Sequence, residues 1–350
     1  MRALSIAQRL PRLWYKPSLA AALIPLLPVS WLFHLLVRLR QTAYHYGAIR
    51  SQRLPVPVIV IGNLTVGGSG KTPLVLWLIK HLREAGKRPG IISRGYGGKA
   101  DGVQCVSANS TSAIAGDEPL LLARRSGAPV FIGRDRVAAG QALLAAHPDC
   151  DVIVSDDGLQ HYRLQRSVEI AVFDARGAGN SRLLPAGPLR EPLLRLSTTS
   201  AVVWNIADDS QKTTIGTPAN VPQFTMHLAG SRFFSLTDAT KRCSAIDLQG
   251  KRLYAIAGIG DPSRFFVQLE SLGLTFEARP FPDHHGYGTD DLSFASSGVL
   301  LMTEKDAVKC AAIVTCEAWV LPVDAHLDRN PEGNALLDII LEKLNGPSPA

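Results

Sequence analysis

Apolar residues in this chain fall into short dense runs that end in glycine or polar residues, and the runs alternate with stretches of helical spacing. A strand buried on both faces reads as a continuous apolar run, so the alternation predicts a mostly parallel α/β sheet covered by helices. Residues 56–63 (VPVIVIGN) predict a strand and residues 72–87 (TPLVLWLIKHLREAGK) the helix after it. Further strands are expected at 88–97, 128–133, 150–158, 169–175 and 201–208. Ligands of such sheets bind beyond the carboxyl ends of the strands, which is where chemistry is to be sought.

Beyond about residue 210 the pattern changes. Residues 211–223 read as a polar connector and 224–236 (FTMHLAGSRFFSL) as antiparallel strands. An α/β unit restarts at 251–265, with its helix at 263–274, a further strand within 299–310 and a closing helix at 334–344. A chain of 350 residues exceeds the usual size of one domain. The predicted division is an N-terminal segment 1–53, a large α/β domain 54–223, a smaller α/β domain 224–330, and a closing helix and tail 331–350.

The first segment is different in kind. No charged residue lies between Pro17 and Val37, and the run SLAAALIPLLPVSWLFHLLV within it matches the ~20 residues that cross a bilayer as a helix. Arg2, Arg9, Arg12 and Lys16 precede the run, and Arg38, Arg40, Arg50 and Arg53 follow it. Without asymmetry, these charges give no reason to export the N-terminus. Pro25 and Pro28 interrupt a helix near its middle, while Trp14, Tyr15 and Trp31 suit the headgroup boundary. A shallow or re-entrant membrane anchor is therefore expected rather than a full span. A cleaved signal peptide fits less well, because no small-residue cleavage site follows the run.

Charge sharpens this picture. The net charge is +7 and no acidic residue precedes Glu84, so an anionic partner is expected. The apolar stretch inside the basic arm argues for a phospholipid surface and against nucleic acid. The five cysteines, Cys105, Cys150, Cys243, Cys310 and Cys316, include no CxxC pair and fit packing roles in a reducing compartment.

The strongest chemical signal is GNLTVGGSGKTP at 62–73, which follows a buried-type strand and opens a helix, the context a phosphate-binding loop requires. Thr65, Gly67, Gly68, Ser69 and Gly70 would turn backbone N–H groups toward phosphate oxygens at the helix N-terminus. Lys71 would reach the β- and γ-phosphates, and the Thr72 hydroxyl would serve magnesium. Thr65 stands where the usual pattern has glycine. The strand 150–158 ends in Asp156 and Asp157, one of which would hold the metal or its waters.

Other motifs are less decided by themselves. GDEP at 116–119 begins a helix, and there Asp117 reads more readily as an N-cap than as a catalyst, with Glu118 beside it. SRGYGG at 93–98 places Arg94 and Tyr96 at a strand end, either as a tight turn or as a substrate-phosphate loop. Arg190, in the Pro/Gly-rich stretch LLPAGPLREP, is suited to stabilising a transferring phosphoryl group. In PDHHGYG, His284 and His285 are neighbours that would seldom share an ion; one histidine acting with a distant carboxylate is equally suited.

Together these residues resemble the tetraacyldisaccharide 4′-kinase family of lipid A biosynthesis. The ordered set GNLTVGGSGKTP, SRGYGG, GDEP, SDDGLQH, LLPAGPLREP, FPDHHGYG and LMTEKDAVKC carries the resemblance from Gly62 to Cys310, and the family's loop shares the unusual Thr65. The resemblance implies a P-loop NTPase-like fold, ATP and Mg2+ as cofactors, and phosphorylation of the 4′-hydroxyl of tetraacyldisaccharide 1-phosphate to form lipid IVA. The expected location is the cytoplasmic face of a bacterial inner membrane, peripheral or monotopic, with no obligate protein partner implied. It also implies that Asp117 is the catalytic base working with His284, reversing the N-cap preference. Two other classes are weaker. A guanine-nucleotide switch would need an NKxD-like motif, which TEKD at 303–306 fails by spacing. A nucleic-acid protein is disfavoured by the apolar run at 18–37.

Overall fold

The computed structural model describes residues 6–346 except Pro17, Thr214, Pro331, Glu332 and Asn334, and for residues 6–9 the backbone only. Arg2, the Arg9 side chain and the tail 347–350, all assigned roles above, lie outside the described residues.

Two sheets organise the chain. The large one uses β1 (Val58–Gly62), β2 (Pro89–Ser93), β3 (Gln104–Val106), β4 (Val130–Ile132), β5 (Val152–Asp156), β6 (Val168–Asp174), β7 (Ala201–Asn205) and β8 (Gln223–Ala229). The smaller uses β9 (Arg232–Ser235), β10 (Arg242–Ser244), β11 (Leu253–Ala257), β12 (Glu277–Pro280), β13 (Val299–Thr303) and β14 (Ala318–Leu321). The chain then returns to the large sheet with β15 (Asp324–Leu327). The large sheet runs β15-β8-β7-β6-β1-β5-β2-β4-β3, parallel except at its two edge strands. The smaller runs β10-β9-β14-β13-β11-β12, with β12 to β14 parallel and β9 and β10 antiparallel.

The continuous apolar runs are explained by burial on both faces. Ile59 and Ile61 point into one core with Leu74, Leu78 and Leu82 of helix Lys71–Glu84. Val58 and Val60 point into the other, with Val137 and Leu143 of helix Arg136–Ala146. This is the period-two alternation of a strand with two covered faces.

The boundary expected at 223/224 shifts. Gln223–Ala229 pairs parallel with β7 instead of opening the second unit, because Phe224 and Met226 bury into the large core beside Val203. Helix Leu336–Asn345 also packs there through Leu336 and Ile340, so the smaller unit is an insertion between β8 and β15. Arg125 bridges the two parts. It meets both Glu304 carboxylate oxygens at 2.5 and 2.6 Å and Asp324 at 2.5 Å.

At the N-terminus a 3-10 turn, Ala21–Leu26, leads into a long helix, Leu27–His45. Pro28 sits in that helix's first turn, where a missing N–H costs nothing. The prolines therefore set its start instead of bending its middle. The combined segment is long and apolar enough to cross a membrane, yet one side is docked on the large unit. The buried Ser30 hydroxyl donates to Leu183 O at 2.8 Å, Arg40 to Gln160 O at 3.1 Å and Gln41 to the Tyr162 hydroxyl at 3.0 Å. Trp31, Leu32, Leu35, Leu36 and Leu39 are exposed on the helix. Two aromatic assignments are corrected. Trp14 is buried and donates its indole N–H to Pro185 O at 3.0 Å, and Tyr15 lies beneath the Arg176 guanidinium, 4.9 Å from ring centroid to carbon. Both pack against loops of the large unit, whereas Trp31 is 63% exposed.

Candidate active site

The phosphate loop leaves β1 at a point where chain order reverses. β1 lies between β5 and β6, and Ile61 is in register with Asp156. The loop thus starts beside the strand-end carboxylates, in the crevice where ligands of parallel sheets bind. Side chains tie down three successive loop carbonyls. Asn63 donates to Gly67 O at 3.0 Å, Arg176 to Gly68 O at 2.8 Å and Asn205 to Ser69 O at 3.1 Å. With these carbonyls engaged, the loop N–H groups and the N-terminus of helix Lys71–Glu84 are left to an anion. Gly70 caps that helix at φ +87°, and a Cβ there would lie 2.1 Å from Asn205 Nδ2. Thr65, buried, bridges Leu189 in an antiparallel pair, which lays the 183–192 loop along the phosphate loop.

Arg190 is thereby carried to the strand-end pair. Its Nη1 is 3.2 Å from Asp157 Oδ2, and Lys71 Nζ is 3.5 Å from Asp157 Oδ1. Burial alone would raise the Asp157 carboxyl, but Lys71 and Arg190 outweigh it and bring it down to about 2. Its neighbour goes the other way. Burial, with Glu118 nearby, pushes Asp156 up to about 7. One Asp156 oxygen receives the Ser93 hydroxyl at 3.4 Å, while the buried Oδ1 has no hydrogen-bond partner. Two adjacent carboxylates are thus driven to different protonation behaviour by their surroundings. Asp157 holds a positive φ of 50°, a strained conformation for a non-glycine residue. Arg136, buried beneath it, donates to Asp157 O at 3.4 Å.

Within electrostatic reach of Lys71 is Glu118 of the GDEP helix, Asp117–Ser126. Its N-cap is Gly116, so Asp117 does not cap and the structural reading of that residue is overturned. Asp117 Oδ2 instead lies 3.4 Å from His284 Nδ1. His284, also at positive φ (58°), meets the Tyr96 ring edge-on at 5.3 Å between centroids. His285 turns away to Asp291 at 3.0 Å, so the two histidines do not converge. Glu118 accepts from Lys305 at 2.9 Å; burial works against its charge, but Lys305 and Lys71 win and lower its pKa. Arg94 and Tyr96 stand exposed at the β2 end, and Arg94 has no partner within hydrogen-bonding range among the described contacts.

Between the sheets lies a cleft of about 660 Å³, lined by Gly68 to Thr72, by Glu118 and, across from them, by Gly260 and Lys305. Its apolar walls include Leu121, Ile206 and Leu321. That size and mix suit a small ligand with one charged end. Several contributors were absent from the sequence reading: Asn63, Asn205, Arg176, Arg136, Lys305 and Lys309. Asn205 had a usable signal, being a polar residue that interrupts the apolar run of the predicted strand 201–208, and it closes β7. The lysines lay within a quoted motif but had no assigned role.

Fold and site together define a P-loop phosphotransferase, with an acid–imidazole pair, Asp117 and His284, adjoining the cleft residue Glu118. The particular family follows from comparison. The chain belongs to the tetraacyldisaccharide-1-P 4′-kinase family, whose sequence model matches residues 22–343. It is 53% identical to the tetraacyldisaccharide 4′-kinase of Dechloromonas aromatica over 97% of this chain and 98% of that one. With the enzyme of the same name from Azoarcus sp. it shares 52% identity over 93% of each. Among solved structures it resembles LpxK from Aquifex aeolicus in complex with ATP, with TM-score 0.79 and 31% identity over 92% of this chain and 99% of that chain.

Two outcomes follow from this geometry. Gly70→Ala places a side chain at positive φ against Asn205, and strain on the order of 1–3 kcal/mol should weaken nucleoside-triphosphate binding by about tenfold or more, measurable by equilibrium dialysis. Asp157 has a depressed folded-state pKa, so its stabilising contribution is full above about pH 4 and is lost as pH falls toward about 2. Chemical denaturation of wild type and Asp157→Asn should therefore show a stability difference that shrinks between those limits; a constant difference would mean the cations do not hold Asp157.

Proposed function

We propose that this chain transfers the γ-phosphate of ATP to the 4′-hydroxyl of tetraacyldisaccharide 1-phosphate, forming lipid IVA, with Asp117 as the base. The observation that carries the assignment of the base is the meeting of Asp117 and His284, 167 residues apart in sequence, next to Glu118, whose charge is favoured by both Lys71 and His284. A sugar hydroxyl is a poor nucleophile, so its proton must be received as the new O–P bond forms and the bond to the β-phosphate oxygen breaks. Asp117 takes that proton; His284 orients the carboxylate and shares the charge. Lys71 and the loop N–H groups hold the triphosphate, and Arg190 stabilises charge on the transferring group. Arg94 and Tyr96, exposed near His284, are read as contacts to the acceptor.

Magnesium fits this site. The unpartnered, buried Oδ1 of Asp156 and the Thr72 hydroxyl are hard oxygen donors beside the loop. Among the described residues no three ligating side chains converge, which suits an ion held by one or two protein oxygens, nucleotide phosphates and waters. When bound, the ion neutralises phosphate charge during transfer. We read the large-sheet unit as the nucleotide domain and the smaller unit as the part whose approach brings in His284 and excludes water.

The N-terminal helix supplies the reason for a membrane address. A four-chain lipid leaves the bilayer at a cost of ~0.8 kcal/mol per methylene, so the enzyme must come to it. The helix is tied to the protein along one side and carries exposed Trp31, Leu32, Leu35, Leu36 and Leu39, an arrangement suited to lying in the interface. We place it at the cytoplasmic face of the inner membrane, where ATP is available.

Radiolabelled γ-phosphate should appear in the lipid with wild type in detergent micelles, and Asp117→Ala should reduce turnover by about 10²–10⁴-fold while ATP still binds. His284→Ala should lower turnover far more than nucleotide affinity. Label from Asp117→Ala at the wild-type rate would remove Asp117 as base. In flotation with anionic vesicles, wild type should rise with the lipid, and the double substitution Trp31→Glu/Leu35→Glu should leave it in the aqueous fraction.

A further inference from the structure

The motif LMTEKDAVKC has no place in the mechanism above, yet it ends in two lysines that reach the GDEP helix. β13 runs into the short helix Glu304–Cys310, on which Lys305 and Lys309 are four residues apart and share a face. Lys305 Nζ lies 2.9 Å from Glu118 Oε1 and 3.5 Å from Asp283 Oδ1. Lys309 Nζ lies 3.6 Å from Asp117 Oδ2 and 3.4 Å from Asp306 Oδ1, with its side chain only 7% exposed.

The partners of Lys309 separate a packing role from an electrostatic one. Asp306 is fully buried and already satisfied by neutral donors. It accepts from Gly258 N at 3.1 Å, the Tyr287 hydroxyl at 2.9 Å and the Thr303 hydroxyl at 2.7 Å. The Lys309 ammonium sits 5.1 Å from the Tyr287 ring centroid and makes no close hydrogen bond of its own. A buried cation without close hydrogen bonds is costly unless charge offsets it. Here that charge is supplied from two sides, by Asp306 and Asp117. The groups facing Asp117 are His284 and Lys309, with Lys305, Asp283 and Glu118 behind them and Lys71 beyond Glu118.

We infer that Lys309 is a positioning residue for phosphoryl transfer: held beside Asp306, its ammonium keeps the Asp117 carboxylate turned toward the His284 ring. This role rests on the reading of Asp117 as base. Lys309 Nζ and His284 Nδ1 meet the same oxygen, Asp117 Oδ2, so the cation fixes the carboxylate oxygen that the imidazole faces.

The test is kcat and KM for transfer to the lipid acceptor in wild type, Lys309→Met and Lys309→Arg, with Asp117→Ala alongside. Lys309→Met should lower kcat by about tenfold or more, Lys309→Arg, which keeps the charge, should recover most of that loss, and the KM for ATP should change by less than about threefold in both. If Lys309→Met does not accumulate as folded protein, Lys309→Gln is read in its place. An unchanged kcat in the neutral variant, or an equal loss in the neutral and Lys309→Arg variants, overturns the role and leaves Lys309 as packing. If Asp117→Ala itself keeps full transfer, the reading of the base falls, and the role of Lys309 falls with it.

Discussion

The ammonium of Lys71 is the charge around which the cleft is built. It lies 3.5 Å from Asp157, and the Asn63 amide oxygen is 3.4 Å from the same nitrogen. Without a cation there, the buried end of β5 would carry two adjacent carboxylates, one of them with an unpartnered oxygen. Asp157 would then depend chiefly on Arg190 to offset its burial. With Lys71 and Arg190 on one carboxylate, its neighbour alone bears the cost of burial. The result is a polarised strand end: a firmly ionised Asp157 that holds the lysine, and an Asp156 whose buried Oδ1 has no hydrogen-bond partner among the described residues.

The same logic of compensated charge joins distant parts of the chain. The GDEP pair, Asp117 and Glu118, is met by His284, Lys305 and Lys309, all from the inserted smaller unit. Arg125, at the other end of the GDEP helix, meets Glu304 of that unit. One helix thus carries charge contacts to the second unit at both ends. Buried ion pairs contribute little net stability, because desolvation offsets their attraction. They do penalise every misaligned arrangement, and alignment is what a site shared between two units requires.

The N-terminal helix belongs to this arrangement as well. Arg40 donates to Gln160 O, and the Gln160 side chain accepts from Arg190, which in turn faces Asp157. Tyr15 lies under Arg176, the residue that ties down Gly68 O. The segment with the most exposed apolar surface is therefore two or three contacts from the phosphate loop. A helix that docks sideways in this way leaves Trp31, Leu32, Leu35, Leu36 and Leu39 uncovered.

Local pattern was enough for much of this molecule. The continuous apolar runs of β1, β5 and β6, the Gly-rich loop after β1 and the acidic end of β5 are written in contiguous residues, since burial on both faces and a phosphate-binding turn each impose a short-range signature. The loop residues from Thr65 to Thr72 and the pair Asp156–Asp157 were legible for that reason. Which sheet receives Gln223–Ala229 was not, because a strand's pairing partner is chosen by the surface it buries. Nor was the burial of Trp14, whose indole seeks a carbonyl 171 residues away. Asp117 looked like a cap until Gly116 was seen to take that place. Its tie to His284 was implied only by the family resemblance. The sequence by itself determined the class of fold, the phosphate loop and the apolar N-terminal helix, because each depends on neighbours in the chain. Only the tertiary structure decided what Lys305, Lys309, Asn205 and Arg176 touch, because charge compensation and carbonyl tethering act through space and leave no periodicity behind.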